Sequence, residues 1–313
     1  PADASARAWS PWVLSQTGRS AEAPTHWERL QTLIPLVPDP HHRRYVHIKG
    51  LGGAATTAAM RGRSRQARQL AGELLAVGAE QGNRRAVGMA HCTMVVVHLM
   101  AGDHDEALTA AEAASATEVD PVYRELAAVW AAAIEAFWGD ADRASVLIGE
   151  HQVVSDQLGL RLFASFHQVS ASFVAIANGH LTQGPSDLEA LRAAATEVDD
   201  LWTHAMVDLG LATMHAQIAT GEAGGSIGAV VRNPRFVLRH ARGAGKRSRT
   251  ELETLITTRG KWGYEGYLPT VEFELAKLAQ HDGRSEDVRR HAQNVIDLLG
   301  EEPDATFVRE ATA

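Results

Sequence analysis

Gly243-Ala-Gly-Lys246 is the motif in this chain that comes nearest to a phosphate-binding loop. Such a loop needs a glycine five residues before the Gly-Lys pair, so that the backbone can wrap a phosphate, and Ser or Thr after the lysine to hold magnesium. His240 and Arg247 occupy those two places and no apolar strand leads in, so the segment reads as a basic loop. Fifteen histidines raise metal chemistry. His41, His42 and His47 cluster, but His91 and His98 stand two helical turns apart, too far to share one ion. No His-Glu-x-x-His or other zinc spacing occurs. Asp103, Asp105 and Glu106 have the composition of a cation loop, yet helix capping and solvation account for them. Cys92 is the single cysteine and sits in the run Cys92-Thr-Met-Val-Val-Val97, which excludes an internal disulfide and points to a buried, inert thiol. No Gly-x-Ser-x-Gly elbow is present. The sequence therefore offers no catalytic residue, cofactor-binding residue or metal ligand, and the chain reads as no enzyme in its own right.

Charge is unevenly spread. The net charge is -8, which argues against nucleic acid as the main partner. Residues 223–262 nevertheless carry Arg232, Arg235, Arg239, Arg242, Lys246, Arg247, Arg249, Arg259 and Lys261 against Glu251 and Glu253. The first seven of these cations form a candidate basic contact patch for an anionic partner. The alternative is a solvated insertion or a degenerate repeat, favoured because Phe236 is the one aromatic residue among those cations. No run reaches the ~20 apolar residues that span a bilayer, and Ala127–Trp138 carries Glu135. No membrane contact and a cytoplasmic location are the expectations.

The elements that would position such residues are helices. Pro1, Pro11, Pro24, Pro35, Pro38 and Pro40 crowd residues 1–40, read as an irregular segment with one short helix. That helix is announced by the capping box Thr25-x-x-Glu28. Because the chain starts at Pro1, this segment reads as the end of a preceding domain. From His41 onward, long apolar-periodic stretches alternate with similar turns: Gly62-Arg-Ser-Arg-Gln-Ala67, Gly102-Asp-His-Asp-Glu-Ala107, Gly139-Asp-Ala-Asp-Arg-Ala144, and more weakly Gly179–Gly184 and Gly283–Val288. The glycines at 62, 102, 139, 179 and 221 recur at 40, 37, 40 and 42 residues, a period that marks a helical solenoid. Each glycine is expected to end a helix in the left-handed conformation. Asp103 and Asp140 are expected to cap the next helix, as are Asp120 before Pro121 and Ser186 with Glu189. Ala107 and Ala144 fall where paired helices approach closely, while Arg143 is expected to face solvent. The apolar first helices supply a candidate partner surface: Val129, Phe137, Phe166 and Phe173.

At these turns the chain resembles a tetratricopeptide repeat, with a period longer than the standard 34 residues. The stretch Gly263-Tyr-Glu-Gly-Tyr-Leu-Pro269, followed by Glu274-Leu-Ala-Lys-Leu278 and Asp282-Gly283, is similar to the last repeat in the C-terminal arm of bacterial class III adenylate/guanylate cyclase–ATPase fusions and large ATP-dependent transcriptional activators. The resemblance implies an all-α, right-handed α-solenoid of antiparallel helix pairs. It divides the chain into residues 1–40, repeats over 41–222, the basic segment 223–262 and a terminal pair over 263–313. It implies a regulatory arm that binds a protein segment or a neighbouring domain of its parent, with a small-molecule sensor as the alternative. It carries over no partner-binding residue and no cofactor.

Overall fold

The computed structural model describes residues 2–117, 121–157, 161–220, 243–300 and 302–313. Among them the α-helices and short 3-10 turns account for all regular structure, with no strand. The helices are α1 (Ala2–Gln16), α2 (Ala23–Leu33), α3 (Pro40–Met60), α4 (Ser64–Gln81), α5 (Arg84–Ala101), α6 (His104–Ala116), α7 (Pro121–Trp138), α8 (Ala141–Gln157), α9 (Arg161–Ala177), α10 (Gln183–Glu197), α11 (Leu201–Thr220), α12 (Ala244–Trp262), α13 (Leu268–His281), α14 (Ser285–Leu298) and α15 (Thr306–Thr312). They form two compact units, Pro1–Ala127 with Arg259–Tyr267, and Ala128–Thr258 with Leu268–Ala313.

In the first unit α3 is the hub, packed by α1, α2, α4 and α5. Asp39 caps it by accepting from the N–H groups of His41 and His42 at 3.2 and 3.0 Å. Its middle, Gly50 to Ala55, is nearly all small. A Cβ at Gly50 would meet the end of Leu30 and the ring of Trp27; at Gly52 it would meet the end of Met89; at Gly53 it would sit 3.2 Å from Pro11 Cβ and 3.3 Å from the Trp12 backbone nitrogen. Each glycine thus admits a different neighbour: α2, α5 and α1. Glycine inside a helix costs about 1 kcal/mol relative to alanine, so the three together are offset by the approach of three helices.

Residues 2–40 are not irregular. They form α1 and α2, and Pro11 lies inside α1. Ala4, Ala8 and Leu14 are buried, and Thr57 Oγ1 donates to the Pro11 carbonyl at 3.1 Å, so packing on α3 overrides the local cost of a proline. The segment after α12 is bound into this unit too. Tyr264 is fully buried and its hydroxyl donates to the Ser15 carbonyl at 2.6 Å. Ser20 donates to the Gly263 carbonyl at 2.5 Å. A Cβ on Gly266 would lie 2.8 Å from the carbonyls of Ala59 and Met60. The Gly263–Tyr267 motif is therefore a tie that closes the ends of α1 and α3.

The second unit is built on the same sequential packing: α8 on α9, α9 on α10, α10 on α11, then α13 on α14 and α14 on α15, with α9 also meeting α11 and α11 meeting α13. Trp130, Phe166 and Trp202, from alternate helices α7, α9 and α11, form a mutual cluster with ring centroids 5.5–5.9 Å apart. Ala144, Ile148, Val169, Leu188, Val207 and Leu211 share one core. α12, which falls in the basic segment, is anchored by its polar face. Ser248 donates to the Ala212 carbonyl at 2.9 Å, His215 meets Glu251 at 2.8 Å, and Arg249 pairs with Asp282 at 2.6 Å.

The turns divide. Gly62, Gly102, Gly179 and Gly283 have φ between 70° and 81°, as expected. Gly139 does not. There the Glu135 carboxylate folds over the turn and accepts from the Asp140 N–H at 2.9 Å, and a Cβ on Gly139 would strike it. Asp140 caps α8 by accepting from Asp142 and Arg143 N–H at 2.8 and 3.1 Å. Asp103 makes no cap bond; its carboxylate lies 3.9 Å from His98 instead. Ser186 sits inside α10, which begins at Gln183, so it caps nothing. Asp120 lies outside the described residues. Arg143 is exposed but pairs with buried Glu135 at 2.9 Å, so it is more than a solvent-facing cation.

Five residues after each turn glycine the side chain is small and shut away: Ala67, Ala107 and Ala144 are fully buried, and Gly184 is buried with its missing Cβ only 2.6 Å from the Ser172 carbonyl. Val288 departs from this and is half-buried. Ala144→Glu is expected to destabilise the chain by about 1–3 kcal/mol or more, by overpacking or by burying an unpaired carboxylate. Val146→Glu, two residues on at a position 57% exposed, is expected to change stability by less than about 0.5 kcal/mol. Urea unfolding of both variants beside the parent chain checks this; equal effects would contradict the close contact.

Candidate functional site

The four residues proposed as a partner surface are placed in packing roles. Val129 is fully buried, Phe166 and Phe173 are buried, and Phe137 is half-buried against the Phe173 ring. The apolar face that looks available in sequence is consumed by the neighbouring helices. Of the basic patch, Arg232, Arg235, Arg239 and Arg242 lie outside the described residues. Lys246 is exposed near the start of α12, while Arg247 and Arg249 are half-buried and Arg249 is held by Asp282. Cys92 is buried beside Ala114 and Ala127, and loss of solvent pushes its thiol up to about 12. At neutral pH it stays protonated and unreactive.

Among the described residues, two of the open places bear on ligand or partner binding. In the first unit a cleft of about 480 Å³ lies between the N-terminal half of α3 and the α4–α5 turn. His41, Arg44, Tyr45, Ile48 and Lys49 line one wall, and Gln81, Asn83, Arg85 and Met89 the other. The elements fix these residues by simple means. Asp39 and Pro40 start α3 so that residues 41, 44, 45, 48 and 49 share one face by helical spacing. Asn83 starts α5 by accepting from the Ala86 N–H at 3.1 Å. Arg44 Nη2 lies 3.1 Å from His41 Nδ1. Lys49 is held by aromatic groups: its ammonium sits 3.7 Å from the centre of the Trp9 ring and donates to the Tyr123 hydroxyl at 3.0 Å. Among the described residues no carboxylate lines the cleft.

In the second unit a groove of about 520 Å³ runs between α9 and α10, floored by Ala171, Ala175, Ala190 and Ala194 and edged by Gln168, Gln183 and Asp187. Among the described residues no group of three or more His, Cys, Asp or Glu is placed to hold a metal, and no helix is long and apolar enough to cross a membrane.

Sequence reasoning missed the cleft because it weighed His41, His42 and His47 as metal ligands. The available signal was the pair of basic helix starts, His41-His-Arg-Arg44 after Asp39-Pro40 and Arg84-Arg85 after Asn83.

Burial also sets a pH response. Loss of solvent holds His47, His91 and His104 below the ordinary imidazole value; the nearby Asp103 and Asp105 oppose this for His104 but do not outweigh it. The unfolded chain therefore binds more protons than the fold as pH falls below about 6.5. Stability is full above that value and declines as pH drops through it toward the depressed folded values. Asp39, held low by the His42 and His41 N–H groups, acts only below about 4. Urea unfolding at pH 7.5 and 5.5 is expected to show a loss at the lower pH that His104→Gln reduces. A parent chain equally stable at both values would contradict it.

Comparison with family models, with curated proteins and with solved structures finds no match to this chain.

Proposed function

We propose that this chain is a non-catalytic interaction and regulatory module: a right-handed superhelix of antiparallel helix pairs, serving as the repeat arm of a bacterial multidomain signalling protein in the cytoplasm. The observation that supports this reading is the repeated contact itself. Helices pack on their sequence neighbours, and the residue five places after the turn glycine is small and buried at Ala67, Ala107, Ala144 and Gly184. Units stacked this way bury a continuous core and leave a long surface for a partner. The α9–α10 groove suits a protein segment. Its alanine floor lets a backbone approach closely, and Gln168, Gln183 and Asp187 supply polar groups at the edge. A small-molecule sensor is the second reading, and the basic cleft of the first unit favours it.

Peptides selected on the immobilised chain from a display library test the first reading. They are expected to lose roughly tenfold or more in affinity on Ala171→Arg and on Ala190→Arg, both at exposed positions, while thermal unfolding stays unchanged. Peptides that bind both variants undiminished, or ATP or GTP turnover by the purified chain, would contradict it.

A further inference from the structure

A third open place lies inside the first unit, between α2, the second half of α3 and the start of α4, with a volume of about 270 Å³. Two matching helical stripes line it. Pro24, Trp27, Glu28 and Gln31 come from α2, and Ala54, Thr57, Ala58 and Arg61 from α3 and its C-cap. Each set has the spacing i, i+3, i+4, i+7, which puts four residues on one helix face. Arg63 and Gln66 close the third side. Two contacts give the direction of α2 on α3. Leu30, late on α2, sits against Gly50, early on α3. Ser20, just before α2, and the Ala59 and Met60 carbonyls, at the end of α3, meet the same Gly263–Gly266 tie. The helices therefore run antiparallel, and Glu28 stands toward one end of the cavity while Arg61 and Arg63 stand toward the other.

The charges are thus separated by sign, and they are not spent on each other. Among the described residues the side chains of Glu28 and Arg63 make no ion pair or hydrogen bond. Arg61 Nε comes 3.8 Å from Glu265 Oε2, too far for a hydrogen bond, and both atoms are buried without one. A buried guanidinium nitrogen in that state is costly until it meets an acceptor. Between the two ends the wall is apolar. Trp27, Ala54 and Ala58 are buried, and Thr57 spends its hydroxyl on the Pro11 and Gly53 carbonyls at 3.1 and 2.8 Å. A lone anion would face Glu28, and a lone cation would face two guanidinium groups. The ligand that suits both ends carries both charges.

We infer that this cavity binds a small zwitterion of the amino-acid class, with its carboxylate toward Arg61 and Arg63, its ammonium toward Glu28 and an apolar side chain against Trp27. Guanidinium and carboxylate pair through two parallel hydrogen bonds, and a carboxylate accepts strongly from an ammonium. Gln31 and Gln66 add amide groups at exposed positions. The volume lies just under the roughly 300–1,000 Å³ of sites for drug-sized ligands, which suits a molecule the size of one amino acid.

The inference goes beyond the scaffold reading and rests on the sensor reading, whose ligand it names. Ligand-observed NMR titration of the full chain at ~50 mM salt, where ionic contacts are weakly screened, tests it with four probes: leucine, leucylglycine, N-acetylleucine and leucinamide. Leucine is expected to bind with a Kd below ~1 mM. N-acetylleucine lacks the ammonium and leucinamide lacks the carboxylate, and each is expected to bind at least about tenfold more weakly. Leucylglycine binding more tightly than leucine would support the zwitterion site and identify a short peptide as its source. Glu28→Gln is expected to weaken leucine binding at least about tenfold and to leave N-acetylleucine unchanged; Arg63→Gln is expected to weaken leucine as much and to leave leucinamide unchanged. Both positions are exposed, so thermal unfolding of the free variants is expected to match the parent. Glu80→Gln, on the exposed face of α4, is expected to leave binding unchanged. Failure of leucine and leucylglycine alike, equal binding of all four probes, or leucine binding undiminished in both Glu28→Gln and Arg63→Gln would overturn the inference. Thermal shift with a panel of neutral and singly charged metabolites, run beside the titration, tells failure of this ligand class from failure of the sensor reading. Ala171→Arg is expected to leave leucine binding intact, so the cavity and the α9–α10 groove stand or fall separately.

Discussion

At the turns that follow Gly62, Gly102, Gly139 and Gly179 the next helix is met through Ala or Gly, and the distance so fixed governs what else can pack. Ala67, Ala107 and Ala144 are fully enclosed, and at Gly184 even a methyl group would reach the Ser172 carbonyl. Backbones held this close leave room only for thin layers of larger side chains. In the second unit these are the Trp130, Phe166 and Trp202 rings and the aliphatic residues beneath them. In the first unit the glycines of α3 extend the same principle to three neighbours at once. Gly53 is the stricter of these, because it faces Trp12 backbone, whereas the ends of Leu30 and Met89 can yield.

Polar contacts then decide how each pair is locked. Glu272 is buried between His291 at 2.6 Å and the Asn294 amide at 3.1 Å, which satisfies a carboxylate that α13 and α14 would otherwise leave stranded. His215 with Glu251, and Ser248 with the Ala212 carbonyl, do the same for α12 on α11. These are partnered groups with a packing role. Arg44, Lys49 and Arg85 line the cleft of the first unit, where Arg44 meets His41 and Lys49 meets Tyr123 and the Trp9 ring.

Much of the fold was legible because its signal is local. The Gly-x4-small turns marked helix pairs, and the close contact at Ala144 could be placed from its offset to Gly139. The all-helical class followed from apolar periodicity. What misled was competition between local and tertiary terms. Six prolines argued for an irregular start, yet burial of Ala4, Ala8 and Leu14 on α3 keeps α1 helical across Pro11. Asp103 has the type and position of a cap but lies beside His98, whereas Asp140 at the equivalent place does cap. Val129, Phe166 and Phe173 looked like a surface because a single helix shows its apolar face in sequence without showing its neighbour. The cleft was illegible for the opposite reason: its two walls are about 40 residues apart, and only the packing of α5 on α3 joins them.

The constraint of close approach is most directly tested by one substitution made at two glycines of the second unit. Gly149 lies inside α8 with nothing within 4 Å of an added Cβ, and Gly184 lies in α10 against Ile176 and the Ser172 carbonyl. Helix propensity alone favours alanine over glycine, by up to about 1 kcal/mol in a helix interior. Urea unfolding of the two variants should therefore show opposite signs: Gly149→Ala more stable than the parent, and Gly184→Ala less stable by about 1–3 kcal/mol. Stabilisation by both substitutions would mean that the helices do not meet at Gly184 as described.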